Sequence, residues 1–376
     1  MASIMEMGLL ANKLAEGVMW LIDALNKGIG NYGVAVICFT LILKIAMSPF
    51  DVWQKVVMTK NNRAMERMKP QLEKLQQQYA GNKELYSQKQ MELYRKEKYS
   101  MLGSCLPSII SLVIFFLIFA GFNGMVKQYN IDMYTNLSDT YYAVYDDTKA
   151  AEEARLETEI ADENERSIVA KNVATEKAQE AVLNVFDEKY KGEIKFLWIN
   201  NVFMPDSWKQ PIPDYETFIG NGIGKLGIDG AVIKNGATGY DEVMSPIIAK
   251  YNDVKRNGKE GRRWNGFMLL PIITGLITFA STKLMKQNQP PVPASANGQN
   301  GQNGQDMQAA MQTNMKVMQW FMPIMLSVFA LLYSTAFTIY MVISNIFSTV
   351  FQLIYNACVK HNDKRREEKR LETTFK

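Results

Sequence analysis

Apolar positions along this chain gather into five blocks, at residues 31–50, 104–124, 264–285, 317–333 and 336–357, with strongly polar sequence between them. A run of about 20 apolar residues spans the hydrocarbon of a bilayer. The last two blocks lie in one stretch, Val317 to Val359, that holds 43 residues without a charge. That is about two crossings at ~1.5 Å per residue. It predicts a tight helical hairpin, residues 315–357, bent near Tyr333, Ser334 and Thr335. The expected fold is all-α and polytopic, with five transmembrane helices.

The polar segments have patterns of their own. Within residues 1–30, Leu10, Leu14, Val18, Leu21 and Leu25 fall at helical spacing, with Asn12, Lys13, Glu16 and Asp23 between them. This predicts an amphipathic helix lying in the outer interface or packed on the outer ends of the spans. In residues 51–103, Met65, Met68, Leu72, Leu75 and Tyr79 alternate steps of three and four, a heptad stripe. Ser48-Pro49 is expected to close the first span and Pro70 to kink or restart the helix. Ala80-Gly81-Asn82 supplies a turn before a return helix from Lys83 to Tyr99, so the segment reads as an antiparallel helical hairpin. Two such short helices are marginal alone, and mobility is expected. The stripe serves as the hairpin's own seam, as an adaptable contact surface, or as both.

The loop 125–263 is large enough for a small lobe. Tyr145–Lys191, rich in Ala, Glu and Lys, should be helical. The seven glycines of Gly220–Gly239 favour short strands and turns. Residues 286–314 form a low-complexity, flexible linker, and residues 358–376 a basic tail best read as a solvated helix end.

The overall net charge of +4 hides an asymmetry. Lys and Arg outnumber Asp and Glu 11 to 6 in residues 51–103, 3 to 1 in 283–316 and 7 to 4 in 358–376, whereas the 125–263 loop has 18 against 24. With five crossings the positive segments share one side, which the positive-inside rule makes cytoplasmic. The N-terminus is then outside and the C-terminus inside. Arg262 and Arg263, just outside the third span, run mildly against this bias. Cys38, Cys105 and Cys358 lie in or beside the spans, so no disulfide framework is expected. The single histidine, His361, excludes histidine-based catalysis and His-ligated metal sites. No metal, cofactor or enzymatic activity is expected, and no specific nucleic acid as a partner. No lipid anchor is expected either.

The sharpest chemical feature is Lys44, the only charge in the first span. A cation at that depth costs about 2.5–3.5 kcal/mol on insertion scales. One reading is snorkelling, because Lys44 lies six residues before Phe50, roughly 9 Å from the span's end. The other is a wet cavity open to the cytoplasm. Polar residues on the remaining spans favour the cavity: Thr40 one turn earlier, Ser104, Ser108 and Ser111 in the second span, and Asn345, Ser348 and Gln352 in the fifth. They also suit ordinary interhelical hydrogen bonds.

Taken in order, the segments resemble the YidC/Oxa/Alb family of membrane protein insertases. FTLILKIAMSPF (Phe39–Phe50), MKPQLEKLQQQY (Met68–Tyr79) and LGSCLPSIISLVIF (Leu102–Phe115) are similar to its first span, hairpin and second span. FLWINNVFMPD (Phe196–Asp206), MLLPIITGLITFASTKL (Met268–Leu284) and Met322–Gln352 continue the match. The resemblance implies a five-helix bundle around a hydrophilic groove, open to cytoplasm and lipid and closed outside. Lys44 takes the place of the groove's positive residue, with Thr40, Ser108, Ser111, Asn345 and Gln352 as further client-binding positions. The groove would receive polar segments of nascent membrane protein clients and release their spans into lipid. The hairpin, through Met65, Met68, Leu72, Leu75 and Tyr79, would contact the client or ribosome, and the Sec translocon and membrane lipids are further partners implied. The chain departs from the pattern in several places. Lys44 replaces an arginine, Ser111 a glutamine, Val113 a proline, and Ser334-Thr335-Ala336 a Pro-Ala-Gly turn, while the outer loop is far longer. The alternative is a small transporter or channel with an extracytoplasmic binding lobe. Against it, there is no inverted repeat and no pair of Gly/Pro-broken spans.

Overall fold

A computed structural model describes residues 2–79, 81–97, 99, 101–222, 224–256, 259–286, 320–321 and 323–374. Helices dominate. In order they are α1 Ala2–Ile29, α2 Tyr32–Gln78, α3 Lys83–Lys96, α4 Met101–Leu156, α5 Glu163–Val185, α6 Lys191–Ile194, α7 Tyr215–Ile219, α8 Gly236–Tyr251, α9 Leu269–Lys286, α10 Pro323–Leu332 and α11 Thr335–Thr374. Among the described residues the sheet is one antiparallel hairpin, β1 Asp253–Arg256 and β2 Lys259–Arg262, with Asp253 opposite Arg262. Three helices, α2, α4 and α11, are long and apolar enough to cross a membrane, and α9 and α10 are shorter apolar helices. The chain is thus an all-α membrane protein. Nearly all of the 286–314 linker lies outside the described residues.

α2 continues as one helix through both Pro49 and Pro70, so Pro70 does not restart it. Each proline removes one backbone donor, and the turns on either side, carrying good helix formers such as Leu72, Glu73 and Lys74, continue the helix. The short strands expected in the glycine-rich stretch are corrected: among the described residues of 220–235 there are turns and one 3-10 turn at Gly230–Val232 and no strand, and Gly236 already opens α8. The predicted bend is where the pattern put it: Tyr333 and Ser334 separate α10 from α11.

The residues group into two compact units. The first comprises residues 1–39, 117–272 and 327–341. Its core is aromatic, built on Phe122, Tyr134, Phe186, Phe203, Phe218, Tyr240 and Phe337, all essentially without solvent exposure. Tyr129 stacks on Phe203 with centroids 3.9 Å apart, and Tyr134 on Tyr240 at 5.4 Å. The helix α5 begins at Asp162, whose side chain accepts from the Asn164 and Glu165 amides. It buries Ala170, Ala174, Ala178 and Val182, small residues at steps of four that let α8 approach closely. From α1, Val18, Ile22 and Asn26 are buried, with Val18 against Gly121, so the packed face lies beside the predicted leucine stripe. The side chains of Leu10 and Leu14 lie outside the described residues.

An asparagine–aspartate clasp organises residues 196–206. Asn265 donates from Nδ2 to the carbonyls of Asn201 (2.9 Å), Met204 (3.1 Å) and Pro205 (2.9 Å), and its Oδ1 accepts from the Asn201 amide (2.8 Å). The fully buried Asp206 accepts from the amides of Met268 (2.9 Å) and Leu270 (2.8 Å), capping the start of α9. Thr335 donates through Oγ1 to the Met204 carbonyl at 2.7 Å, tying the α10–α11 bend to the same segment.

The second unit comprises residues 40–116, 273–326 and 342–376. In its hairpin, Ala64, Met68 and Leu72 of α2 bury against Leu93 of α3, with Met65, Leu75, Tyr94 and Tyr99 packed around them. Asn82 caps α3, accepting from the Leu85 amide at 3.1 Å. The apolar helices of this unit leave many large side chains uncovered: Leu41, Ile42 and Ile45 on α2, Ile109, Leu112, Val113 and Phe116 on α4, and Ile346, Val350, Leu353 and Ile354 on α11. Such faces belong in lipid.

Candidate functional site: a polar layer between apolar helices

Helix geometry sets the layer. On α2, Lys44, Asp51 and Lys55 are spaced by seven and eleven residues. At 100° per residue that spacing returns each to within about 20° of the same line. Facing them, α11 carries Ser348, Gln352, Tyr355 and Asn356 on its own i, i+4, i+7 and i+8 stripe.

The two stripes meet. Lys44 is half-buried and donates from Nζ to Ser348 Oγ at 3.2 Å. Lys55 donates to Gln352 Oε1, and Gln352 in turn donates to Asn356 Oδ1 at 2.8 Å. Thr59 Oγ1 and the Tyr355 hydroxyl pair at 3.3 Å, and Arg63 ends the ladder on Asp363. The Lys55 ammonium also lies 5.6 Å from the Phe351 ring centroid and 6.0 Å from that of Tyr355. Asp51 lies within electrostatic reach of both Lys44 and Lys55.

Two more helices join. Gln54 donates to Ser111 Oγ of α4 at 3.2 Å. Asn345 donates to Thr278 Oγ1 of α9 at 3.1 Å, and Thr349 shares a hydrogen bond with Ser281. Partner numbers rise together in each set, 44/348 to 63/363 for α2 with α11 and 278/345 to 281/349 for α9 with α11. These three helices therefore run parallel.

Of the residues expected from the sequence, Lys44, Ser111, Asn345 and Gln352 all take part in this layer, and Thr40 is fully buried one turn before Lys44. The Ser108 side chain lies outside the described residues. The ammonium of Lys44 reaches a hydroxyl on a neighbouring helix. Met68 and Leu72 are closed within the hairpin seam, and Met65 and Leu75 pack at its edge. Sequence reasoning missed Lys55, Gln54, Thr278 and Ser281. For Lys55 a signal was present, the eleven-residue step from Lys44. Among the described residues no cluster of His, Cys, Asp and Glu has the makings of a metal site.

A chain whose apolar helices share a layer of amides, hydroxyls and two ammonium groups is a polytopic membrane protein with polar contacts between its helices. Comparison narrows the class. The profile of the 60Kd inner membrane protein family matches residues 24–160 and 181–364, most of the chain, and the chain belongs to that family, the YidC/Oxa/Alb group. Relatives named membrane protein insertase YidC include one from Fusobacterium nucleatum, 32% identical over 134 residues, covering 35% of this chain and 63% of that protein. Others are from Vibrio cholerae, 36% identical over 102 residues (27% of this chain, 18% of that protein), and Alkalilimnicola ehrlichii, 35% identical over 102 residues (27% and 17%). The aligned stretch thus spans less than two thirds of these relatives' own lengths. Family and apolar helices together make the chain a multi-pass protein of the bacterial plasma membrane.

Proposed function

We propose that this chain is a membrane protein insertase, acting on nascent membrane proteins without catalysing a chemical reaction. The observation that carries the reading is the Lys44–Ser348 contact, an ammonium held beside hydroxyls and amides within apolar helices. Keeping a cation there costs about 2.5–3.5 kcal/mol on insertion scales, a cost that a purely structural role leaves unexplained. A polar client segment entering such a layer has less hydrocarbon left to cross. Its acidic groups pair transiently with Lys44, and its apolar span then leaves into lipid. The driving force is client hydrophobicity plus the membrane potential, ~2.3 kcal/mol per charge per 100 mV.

In this reading the layer is a groove open to the cytoplasm, lined by Lys44, Thr40, Ser108, Ser111, Asn345 and Gln352, with Lys55 added at its cytoplasmic end. Five crossings fit the parallel run of α2, α9 and α11, because helices that cross in one direction must be separated by an odd number of crossings. The charge bias then sets the N-terminus outside and the C-terminus in the cytoplasm. The hairpin is the contact for client or ribosome, offering Met65, Leu75 and Tyr79 and its polar outer faces, since Met68 and Leu72 are enclosed. The Sec translocon is a further proposed partner. No specific observation favours the transporter or channel reading.

The test is site-specific photocrosslinking from positions 44 and 55 to stalled ribosome–nascent chains of a single-span client. Adducts restricted to the window in which the client's polar tail enters the membrane support the reading. Crosslinks to lipid alone at every chain length overturn it.

A further inference from the structure

The first unit holds a separate group of cations. A cavity of about 280 Å³ is lined by Phe119, Phe203 and Leu332 together with Lys127, Lys225 and Asn221. No acidic side chain lines it. Its rim is the glycine-rich loop 220–227, where Gly222, Gly224 and Gly227 all adopt positive φ, at 123°, 72° and 61°. The missing side chains admit ammonium groups. A Cβ on Gly224 would strike Lys209 Nζ, one on Gly220 would meet Lys225 Nζ at 2.8 Å, and one on Gly227 would meet Lys127 Nζ at 3.3 Å.

Two of these lysines each spend one donor on the loop. Lys209 donates to the Gly224 carbonyl at 2.7 Å and Lys127 to the Gly227 carbonyl at 3.1 Å. An ammonium has three donors, so each retains others. Burial first, and then the neighbouring Lys225, push the Lys209 ammonium below its usual range. The opposing charge acting on it, Asp214, also caps α7 by accepting from the Thr217 amide at 2.8 Å. Among the described residues no carboxylate forms an ion pair with Lys127, Lys209 or Lys225.

The apolar wall indicates what the anion carries. Phe119 and Leu332 belong to the apolar helices α4 and α10, and on α10 Val328 is exposed one turn before Leu332. Lys127 follows directly on the predicted second span, and Lys209 follows Trp208, which is 55% exposed, the residue type that gathers at membrane interfaces. A free phosphate has no use for that wall. We propose that this cavity binds the phosphate of an anionic phospholipid headgroup, with the glycerol and first acyl carbons against Phe119, Phe203 and Leu332. In the topology proposed above this is an outer-leaflet site, but binding itself depends on neither that topology nor insertase activity.

Native mass spectrometry of the purified full chain in neutral detergent tests the site, titrating phosphatidylglycerol against phosphatidylcholine. Wild type should hold one phosphatidylglycerol preferentially. Lys225→Gln should weaken it about fivefold and Lys127→Gln,Lys225→Gln by roughly that factor again, since one cation near an anionic surface is worth about 1 kcal/mol. Lys225→Arg should keep binding, and phosphatidylcholine adducts should stay unchanged throughout. Unaltered phosphatidylglycerol binding in the double glutamine variant overturns the proposal, and so does equal loss of both lipids. Displacement of the lipid by millimolar inorganic phosphate would assign the pocket to a soluble anion and overturn the lipid assignment.

Discussion

Reversing the charge at Lys44 should separate clients by the charge of their translocated tails. An ammonium and a carboxylate about 4 Å apart at an effective dielectric near 20 attract by about 4 kcal/mol. Two costs reduce this. Lys44 gives up its 3.2 Å hydrogen bond to Ser348, about 1 kcal/mol, and the client carboxylate is partly desolvated, on the order of 1–2 kcal/mol for a half-buried site. About 1–2 kcal/mol remains, or roughly five- to thirtyfold in the population of the engaged complex. Lys44→Gln should slow clients with acidic tails by that factor, and Lys44→Glu by more, because attraction becomes repulsion. Lys44→Arg keeps the charge and should keep the rate. Lys55 donates to Gln352, one turn beyond Ser348 on α11, and its ammonium lies within electrostatic reach of Lys44. It therefore keeps part of the attraction in Lys44→Gln, and the lower end of this range is expected.

The assay is the initial rate of insertion into proteoliposomes, read by protease protection of the client's tail. Three single-span clients with acidic, neutral and basic tails are compared. Slowing confined to the acidic tail supports the electrostatic account. If Lys44→Glu inserts the acidic-tailed client at the wild-type rate, the account fails. If all three clients slow alike, the substitution has damaged the helix packing and Lys44 has no charge-selective role.

Other substitutions probe the framework. Asn265→Ala leaves the buried Asn201 amide without its acceptor, while the three carbonyls each lose one donor and keep another, and at about 1–3 kcal/mol for the unsatisfied amide it should lower Tm in detergent by several degrees. Unchanged melting would contradict the clasp. Met68→Ala, in a fully buried seam, should cost about 2–5 kcal/mol, seen as faster hydrogen exchange in the hairpin while exchange in α9 stays as in wild type. Burial, with Asp132 adding to it and the Tyr32 hydrogen bond opposing it, raises the Asp23 carboxyl, and burial likewise raises Glu193, where Asp23 adds to it. A raised acid binds its proton more readily folded than unfolded. Stability should therefore rise as pH falls through the folded values toward the ordinary carboxylate range. Melting between pH 7.5 and 5 should show this, and Asp23→Asn should shrink the gain.

Several of these features were legible from residue spacing alone. The apolar blocks marked the helices α2, α4, α9 and α11, and the uninterrupted 43-residue run marked a bend that falls at Tyr333 and Ser334. Lys44, Ser111, Asn345 and Gln352 stood out as polar positions within apolar runs. Thr278 and Ser281 did not, because hydroxyls in a sequence like TFASTKL satisfy themselves on their own helix, and both do so, Thr278 to the Thr274 carbonyl and Ser281 to that of Ile277. Their further partners, Asn345 and Thr349, are 67 and 68 residues away. Asn265 and Asp206 were invisible for the same reason, since their partners lie about 60 residues off and no periodicity encodes them. Proline's local rule describes a missing donor and a clash with the preceding turn, and says nothing of the turns that carry α2 on past Pro49 and Pro70.

The two lysine groups obey one physical rule with different outcomes. Lys44 and Lys55 project from one stripe of α2, three turns apart, toward neutral acceptors on α11, with Asp51 between them. Lys127 and Lys209 converge from two other segments on the glycine-rich loop that carries Lys225. The first arrangement offers its charge only to a group that enters between helices, exchanges a weak neutral hydrogen bond, and can leave again, which suits a passing polypeptide. The second concentrates three cations around a fixed cavity with no acid in its wall, which suits an anion that stays. If so, glutamine substitutions at Lys127 and Lys225 should leave the charge selectivity at position 44 intact while removing the bound lipid. Coupled loss of both would mean that the outer lysines act on the client itself.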